Sequence, residues 1–118
     1  MISLPPSVEI FLCTQFVDGR KGIDALAAMV ESVLEQDPLS GHLFVFLASK
    51  GKCIRMLYWD TDGFFLSLKR LERGRVNFPK TLPDGVAKIQ IEDTDLRLLL
   101  CGIDFSQTPR RARWKPAA

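Results

Sequence analysis

The order of apolar and polar residues predicts a strand and then a helix at the start of the chain. Residues 8–14 form an apolar, β-rich run after Pro5-Pro6, which is typical of a strand. Apolar residues then recur at helical spacing as far as Gln36 and predict one long helix; they are Ile23, Leu26, Ala27, Val30, Val33 and Leu34. Asp37-Pro38 is expected to end this helix, because the residue before a proline avoids helical angles.

Closely spaced strands are predicted after the helix. The apolar runs are residues 43–48, 53–59 and 64–72, separated by short turns at 49–52 and 60–63. Arg73-Gly74 predicts a two-residue turn into a further strand over residues 75–78, which Pro79 would end. Connections this short are typical of an antiparallel meander.

The alternation of side chains within the meander predicts two unlike sheet faces. Ile54, Met56 and Tyr58 share one face of their strand, whereas Arg55 lies among apolar residues on the other face. The apolar face is expected to pack against the helices, and the mixed face is expected to carry polar and basic groups.

The C-terminal part of the chain predicts a last strand, a short helix and a tail. Residues 86–91 are β-rich, and Glu92-Asp93-Thr94-Asp95 is typical of a helix start because acids are favourable near the positive end of the helix dipole. From Ser106 onward the chain is rich in proline, arginine and alanine. We therefore predict an α+β domain over residues 1–105, with a mostly antiparallel β-meander sheet packed against one long helix and a short C-terminal helix. A basic, mobile C-terminal tail is expected over residues 106–118.

Composition excludes several classes of protein. The chain has 118 residues, 47% of them hydrophobic and 25% charged, which is an ordinary globular balance and excludes disordered, collagen-like and coiled-coil chains. Cys13, Cys53 and Cys101 have no paired spacing, so neither a disulfide framework nor a zinc knuckle is expected. The first residues lack the pattern of a signal peptide, and no apolar stretch reaches the ~20 residues that span a bilayer. These features predict a cytoplasmic protein, associated with the nucleoid if it binds DNA.

The net charge of +2 is unremarkable, but the charges are segregated. Residues 1–49 carry two basic and six acidic groups, residues 50–80 carry eight basic and three acidic, and residues 81–105 carry two basic and five acidic. The last thirteen residues contain four basic groups and no acid. Clustered cations favour a polyanionic partner, because counterion release depends on local charge density.

These clusters supply the candidate binding residues. The candidates for contact with nucleic acid are Arg20, Lys21, Lys50, Lys52, Lys69, Arg70, Arg73, Arg75, Arg110, Arg111, Arg113 and Lys115. Trp59 and Trp114 are candidates for contact with a partner protein. The alternative for Arg70 and Arg73 is that they pair with neighbouring acids such as Glu72 and simply hold the turns.

Little in the sequence points to catalysis. His42 is the single histidine and follows a Ser-Gly turn, so a hydrogen-bonding role at a strand end is expected. One alternative for Asp60 and Asp62 is to hold metal ions as in a nuclease, but Asp-Thr-Asp-Gly is also what a tight turn requires. No glycine-rich phosphate loop or nucleophile elbow is present. No catalytic residue, metal site or cofactor is predicted.

Four blocks of the chain resemble, in order and spacing, segments of one known family; they are residues 18–24 (Asp-Gly-Arg-Lys-Gly-Ile-Asp), 37–46 (Asp-Pro-Leu-Ser-Gly-His-Leu-Phe-Val-Phe), 57–64 (Leu-Tyr-Trp-Asp-Thr-Asp-Gly-Phe) and 69–75 (Lys-Arg-Leu-Glu-Arg-Gly-Arg). This family is the Orf2-like accessory proteins of bacterial insertion sequences of the IS66 group, often called TnpB and unrelated to the RNA-guided nuclease of that label. The resemblance extends from about Leu4 to Ile103. Gly19 and Phe78 depart from it, since methionine and tryptophan are usual at these positions.

The resemblance implies a protein encoded beside the transposase of the element and needed or helpful for transposition. In that family the strand-transfer chemistry is assigned to a separate, longer protein with an acidic triad. We therefore expect a non-enzymatic accessory factor that assists transposase assembly on the element's DNA ends by binding double-stranded DNA. The alternative is a scaffold that binds the transposase or a sister accessory protein without touching DNA. No membrane partner is expected, and the sequence leaves the oligomeric state open.

Overall fold

The strands and helices form an α+β arrangement, as the sequence predicts. The computed structural model describes residues 7–79, 82, 84–103 and 115–116. In chain order the elements are β1 (Ile10–Cys13), α1 (Ile23–Ser32), β2 (Leu43–Ala48), a 3-10 turn (Ser49–Gly51), β3 (Cys53–Asp60), β4 (Gly63–Arg70), β5 (Lys88–Ile91), α2 (Asp93–Leu100) and the two-residue β6 (Lys115–Pro116).

The strands form one mostly antiparallel sheet in the order β4-β3-β2-β1-β5-β6. The consecutive antiparallel pairs β2–β3 and β3–β4 confirm the predicted meander. β1 pairs with β2 in parallel, with Ile10 opposite Leu43, and it pairs with β5 antiparallel. Because parallel neighbours need a crossover connection, α1 lies between β1 and β2 in sequence and packs on one face of the sheet.

Helices cover both faces of the sheet, so the prediction that one apolar face meets both helices is wrong. α1 buries Leu26 and Val30 against Phe44, Phe46 and Leu57 on one face. α2 buries its leucines on the other face against side chains that include Ile54 and Ile89. The face of Arg55, which we expected to be mixed, is therefore the α1 face. β1 and β2, in the middle of the sheet, are fully buried.

The predicted long helix is also wrong, because α1 has ten residues and ends at Ser32. The chain leaves the helix through Glu35, whose φ is +54°. The N–H of Leu34 donates to the carbonyl oxygen of Met29 at 3.0 Å, and the N–H of Gln36 donates to that of Val30 at 2.9 Å, so a widened last turn satisfies two carbonyls at the end of the helix. Glycine usually occupies a left-handed position after a helix, so glutamate there gives no sign of the helix end in the sequence.

The strand predicted over residues 75–78 does not form, and β4 remains an edge strand. The chain turns back after β4 and packs on the β2–β3 connection. Leu71 donates its N–H to the carbonyl of Lys52 at 2.7 Å, and Val76 donates to the carbonyl of Gly51 at 3.0 Å. Both side chains are buried, and this packing prevents residues 75–78 from pairing with β4.

The predicted start of the C-terminal helix is confirmed. Glu92 and Asp95 form a reciprocal capping box. The side chain of Glu92 accepts a hydrogen bond from the backbone N–H of Asp95, and the side chain of Asp95 accepts one from the backbone N–H of Glu92. At the other end of α2, the Lys69 ammonium donates to the carbonyl oxygen of Leu100. The buried Lys88 does the same beyond α1, where its Nζ lies 2.6 Å from the carbonyl oxygen of Leu34. Both lysines thereby satisfy carbonyls at helix ends, where a positive charge is also favourable.

The predicted tail lies outside the described residues, apart from Lys115–Pro116, which pairs with β5. The domain boundary at residue 105 stays a prediction. In the described part of the chain, neither helix has the length and apolar character that crossing a bilayer requires.

Candidate nucleic-acid interface

The sheet topology brings three basic loops to one end of the molecule. Because β1 and β2 are parallel and β4 returns antiparallel to β3, the chain leaves β1, β2 and β4 at the same end of the sheet. We call this region the basic end, and it consists of residues 17–22, 49–52 and 69–76. It contains eight of the candidate cations and two acids; the cations are Arg20, Lys21, Lys50, Lys52, Lys69, Arg70, Arg73 and Arg75.

Backbone contacts hold the second and third of these loops together. Besides the hydrogen bonds from Leu71 and Val76, the guanidinium of Arg75 donates to the carbonyl oxygen of Ser49 at 3.2 Å. Gly51 has a φ of +95°, and a Cβ built there would lie 2.0 Å from the carbonyl oxygen of Val76. Only a glycine allows this close approach, which holds the loop of Lys50 and Lys52 against the loop that carries Arg73 and Arg75.

Arg55 positions the first loop. Val17 forms a parallel bridge with Ala48, and its N–H donates to the carbonyl of Leu47 at 2.9 Å. The guanidinium of Arg55 then donates to the carbonyl oxygens of Gly19 and Lys21. The loop before α1 is thus tied to β2 and β3. Arg55 is not among the functional residues predicted from the sequence, although a cation on an otherwise apolar strand face is a sign of such a role.

The candidate cations differ in how far neighbouring groups already satisfy them. Arg20 pairs with Asp18 at 2.9 Å, and Arg70 pairs with Glu72 at 3.0 Å; both arginines are exposed. Lys69 binds the end of α2, which makes it a structural residue. The other five of these eight cations have no ion pair with any described residue and no bond to a helix end; they are Lys21, Lys50, Lys52, Arg73 and Arg75.

The opposite end of the sheet is acidic. Glu9 precedes β1, Asp60 and Asp62 belong to the β3–β4 turn, and Glu92 and Asp93 follow β5. We call these five residues the acidic end. Arg97 on α2 pairs with Asp93 at 3.2 Å. The molecule is therefore electrically polarised along its strands, which the charge counts along the sequence do not show.

The remaining candidates lie elsewhere. Trp59 is half-buried near the acidic end, where it packs edge-to-face on Phe64 with ring centres 5.0 Å apart. Arg110, Arg111, Arg113 and Trp114 lie outside the described residues, and Lys115 belongs to β6. His42 has a structural role, since its Nδ1 accepts the N–H of Glu9 at 3.0 Å.

The two aspartates considered for metal binding lie in the tight turn between β3 and β4. Asp60 is opposite Gly63, and Thr61 between them adopts a φ of +51°. The hydroxyl of Thr61 lies 3.4 Å from a carboxylate oxygen of Asp60. Across the described residues, no three carboxylate, thiol or imidazole groups lie close enough to hold a metal ion together.

Comparison with known proteins identifies the family. Residues 8–110 match the family described as IS66 Orf2 like protein. This chain belongs to the IS66 Orf2-like family. Its relatives include two proteins of Sinorhizobium fredii (strain NBRC 101917 / NGR234). Uncharacterized protein y4jC is 37% identical over 116 residues, which cover 98% of this chain and 97% of the relative. Uncharacterized protein y4hO is 34% identical over 116 residues, which cover 98% and 96%. No solved structure matches the chain.

Membership in the IS66 Orf2-like family confirms the resemblance noted in the sequence. The family is that of an accessory protein of IS66-type insertion sequences and not of a known enzyme, which indicates an accessory role in transposition. The match covers all three loops of the basic end as well as α1 and α2.

The pair formed by Asp18 and Arg20 gives a prediction about pH. Hydrogen bonds from the side chain and the backbone of Arg20 lower the pKa of the Asp18 carboxyl from 3.8 to about 2. Because the pKa is lower in the folded chain, this carboxylate stabilises the fold above the ordinary aspartate pKa, and the contribution disappears as the pH falls toward 2. An NMR titration should find the Asp18 midpoint near pH 2, and Arg20→Gln should raise it. An unchanged midpoint in the variant would contradict the pairing.

Proposed function

We propose that this protein is a non-enzymatic accessory factor that helps the transposase assemble on the ends of an IS66-type element by binding double-stranded DNA. The contacts would come from the basic end and from the basic tail. The observation that carries the proposal is the convergence of three loops, distant in sequence, on one end of a sheet whose other end is acidic. An acidic surface at the far end would orient the basic end toward a phosphate backbone.

The number of uncompensated cations sets the expected strength of this interaction. Lys21, Lys50, Lys52, Arg73 and Arg75 have no ion pair with a described residue. Lys50, Arg73 and Arg75 are exposed, Lys21 and Lys52 are half-buried, and accessible cations of this kind suit contacts with phosphates. Each neutralised phosphate contributes about −0.9 to the slope of log K against log salt concentration. Five such contacts would give a slope of roughly −4 to −5, before any contribution from the tail.

The test is a binding titration of the full chain on its element's terminal inverted repeat and on a scrambled duplex across a salt series. Preference for the repeat, with a slope near the value above, would support recognition of DNA ends. Equal, weak binding that vanishes near physiological salt would contradict the DNA-binding proposal. A chain truncated after Ser106 separates the two sources of charge, because it keeps the basic end and loses the tail. Metal-dependent cleavage of the duplex that Asp60→Asn abolishes would contradict the non-enzymatic proposal.

A scaffold function is the second candidate, and the exposed apolar side chains of β4 favour it. Phe65 is 46% exposed and Leu68 is 53% exposed, which is high for large apolar residues in a strand. In this case the protein would capture purified transposase or the sister accessory protein after nuclease treatment. The scaffold function would be favoured over DNA binding by two results together. The protein would capture its partner equally strongly with and without DNA, and it would show no preference for the terminal repeat in the titration above.

A further inference from the structure

β4 is a long edge strand whose outer side has no partner in the described part of the chain. It has eight residues and pairs with β3 alone, whereas at the other edge of the sheet β6 covers β5. Natural edge strands are usually short, bulged or interrupted by charge, because an open edge invites another strand to pair with it. From Gly63 to Leu68, β4 has no charged residue, and Phe65 and Leu68 are both exposed.

The charges at the two ends of β4 are opposite. The strand begins next to Asp60 and Asp62 at the acidic end and finishes with Lys69 and Arg70 at the basic end. A second β4 lying parallel to the first would bring like charges together at both ends. A second β4 lying antiparallel brings the acidic turn of each copy beside the basic residues of the other, and an antiparallel pair is also the arrangement that two-fold symmetry produces.

We propose that two copies of this chain associate through antiparallel β4–β4 pairing, which joins their sheets into one continuous sheet. The register that best matches the side chains is centred on Leu66. In that register Phe64 lies opposite Leu68 of the other copy, and Asp62 lies opposite Arg70. On this face of the joined sheet, Phe64, Leu66 and Leu68 of the two copies form an uninterrupted apolar row between two opposite-charge pairs, and on the other face Phe65 lies opposite Ser67.

Neighbouring registers are less favourable. Centring the pairing on Ser67 places Asp62 opposite Glu72, which are like charges, and Phe64 opposite Arg70. Centring it on Phe65 places Asp62 opposite Leu68 and shortens the paired segment. Registers centred between two residues are excluded. They would place residues of opposite faces of the strand opposite each other.

This inference does not depend on the proposed function, but it bears on it. The two-fold axis places the two basic ends at opposite sides of the joined sheet. A dimer would therefore present two separate basic ends, whereas a monomer presents one. Of the basic end, only Lys69 and Arg70 at the end of β4 lie in the paired segment, so Lys50, Lys52, Arg73 and Arg75 stay accessible in the dimer.

Sedimentation of the full chain over a range of micromolar concentrations tests the pairing. The native chain should show a monomer–dimer equilibrium. Asp62→Arg alone and Arg70→Asp alone should each weaken dimerisation about tenfold or more, since each places like charges opposite each other. The double variant Asp62→Arg/Arg70→Asp restores the opposite-charge pairs and should return the dissociation constant to within about threefold of the native value.

Asp84→Arg is the matched control, since Asp84 is exposed, lies away from β4 and undergoes the same substitution. Circular dichroism should show that all variants are folded. A chain that is monomeric at every concentration would overturn the proposal, as would a dimer that neither single variant weakens. The proposal would also be overturned if the double variant dimerised no more tightly than the single variants. That result would mean that the two charges do not face each other.

Discussion

Replacing Gly51 with alanine is expected to destabilise the folded chain by about 3 kcal/mol, as the combined effect of backbone strain and steric overlap. Gly51 is buried with a φ of +95°, a conformation that L-residues with side chains rarely adopt. The added methyl group would lie 2.0 Å from the carbonyl oxygen of Val76, so the two chain segments would have to separate. Urea denaturation followed by circular dichroism measures the free energy of unfolding.

Gly63→Ala is the matched control for this substitution. Gly63 begins β4 without a positive φ, and a Cβ built there meets nothing within 4 Å. Its free energy of unfolding should stay within about 0.5 kcal/mol of the native value. Equal effects of the two substitutions would show that the contact between Gly51 and Val76 does not limit stability.

The sequence predicts the elements with strong local patterns. The apolar run of β2 and the alternation in β3 and β4 are visible residue by residue, and the acids around Glu92 indicate the start of α2 through capping chemistry that is local to one turn. The end of α1 is not predicted, because Glu35 takes a left-handed conformation that sequence patterns assign to glycine. The absence of a strand over residues 75–78 follows from packing against Gly51, a contact across the fold that no short pattern contains.

The sequence predicts only part of the candidate interface, because the rest of it also depends on contacts across the fold. Charge counts along the chain identify residues 50–80 as a basic segment, which contains the second and third loops of the basic end. The contribution of Arg20 and Lys21 depends on the parallel pairing of β1 with β2, which places the end of β1 beside the end of β2. The structural role of Lys69 depends on its contact with the end of α2, a helix that follows β5 and is therefore distant from Lys69 in sequence. Long-range pairing therefore decides which cations converge and which of them remain available.

Neutralising the basic end is expected to have the largest effect on DNA binding. In the variant Lys50→Gln/Lys52→Gln/Arg73→Gln/Arg75→Gln, four candidate phosphate contacts are lost. We expect the slope of log K against log salt concentration to become shallower by about 3 to 4, and the affinity near 0.1 M salt to fall by about 10² to 10³-fold. Fluorescence anisotropy with a labelled terminal repeat measures both quantities.

Single substitutions provide the matched control for this variant. Arg73→Gln removes an exposed arginine at the basic end, and Arg97→Gln removes an exposed arginine from α2, where it pairs with Asp93. The first should make the salt slope shallower by about 0.9, whereas the second should leave it unchanged. Similar losses from both would mean that the total charge of the protein, and not its convergence on one end of the sheet, determines DNA binding. A folded quadruple variant with native affinity would remove the basic end from the interface altogether.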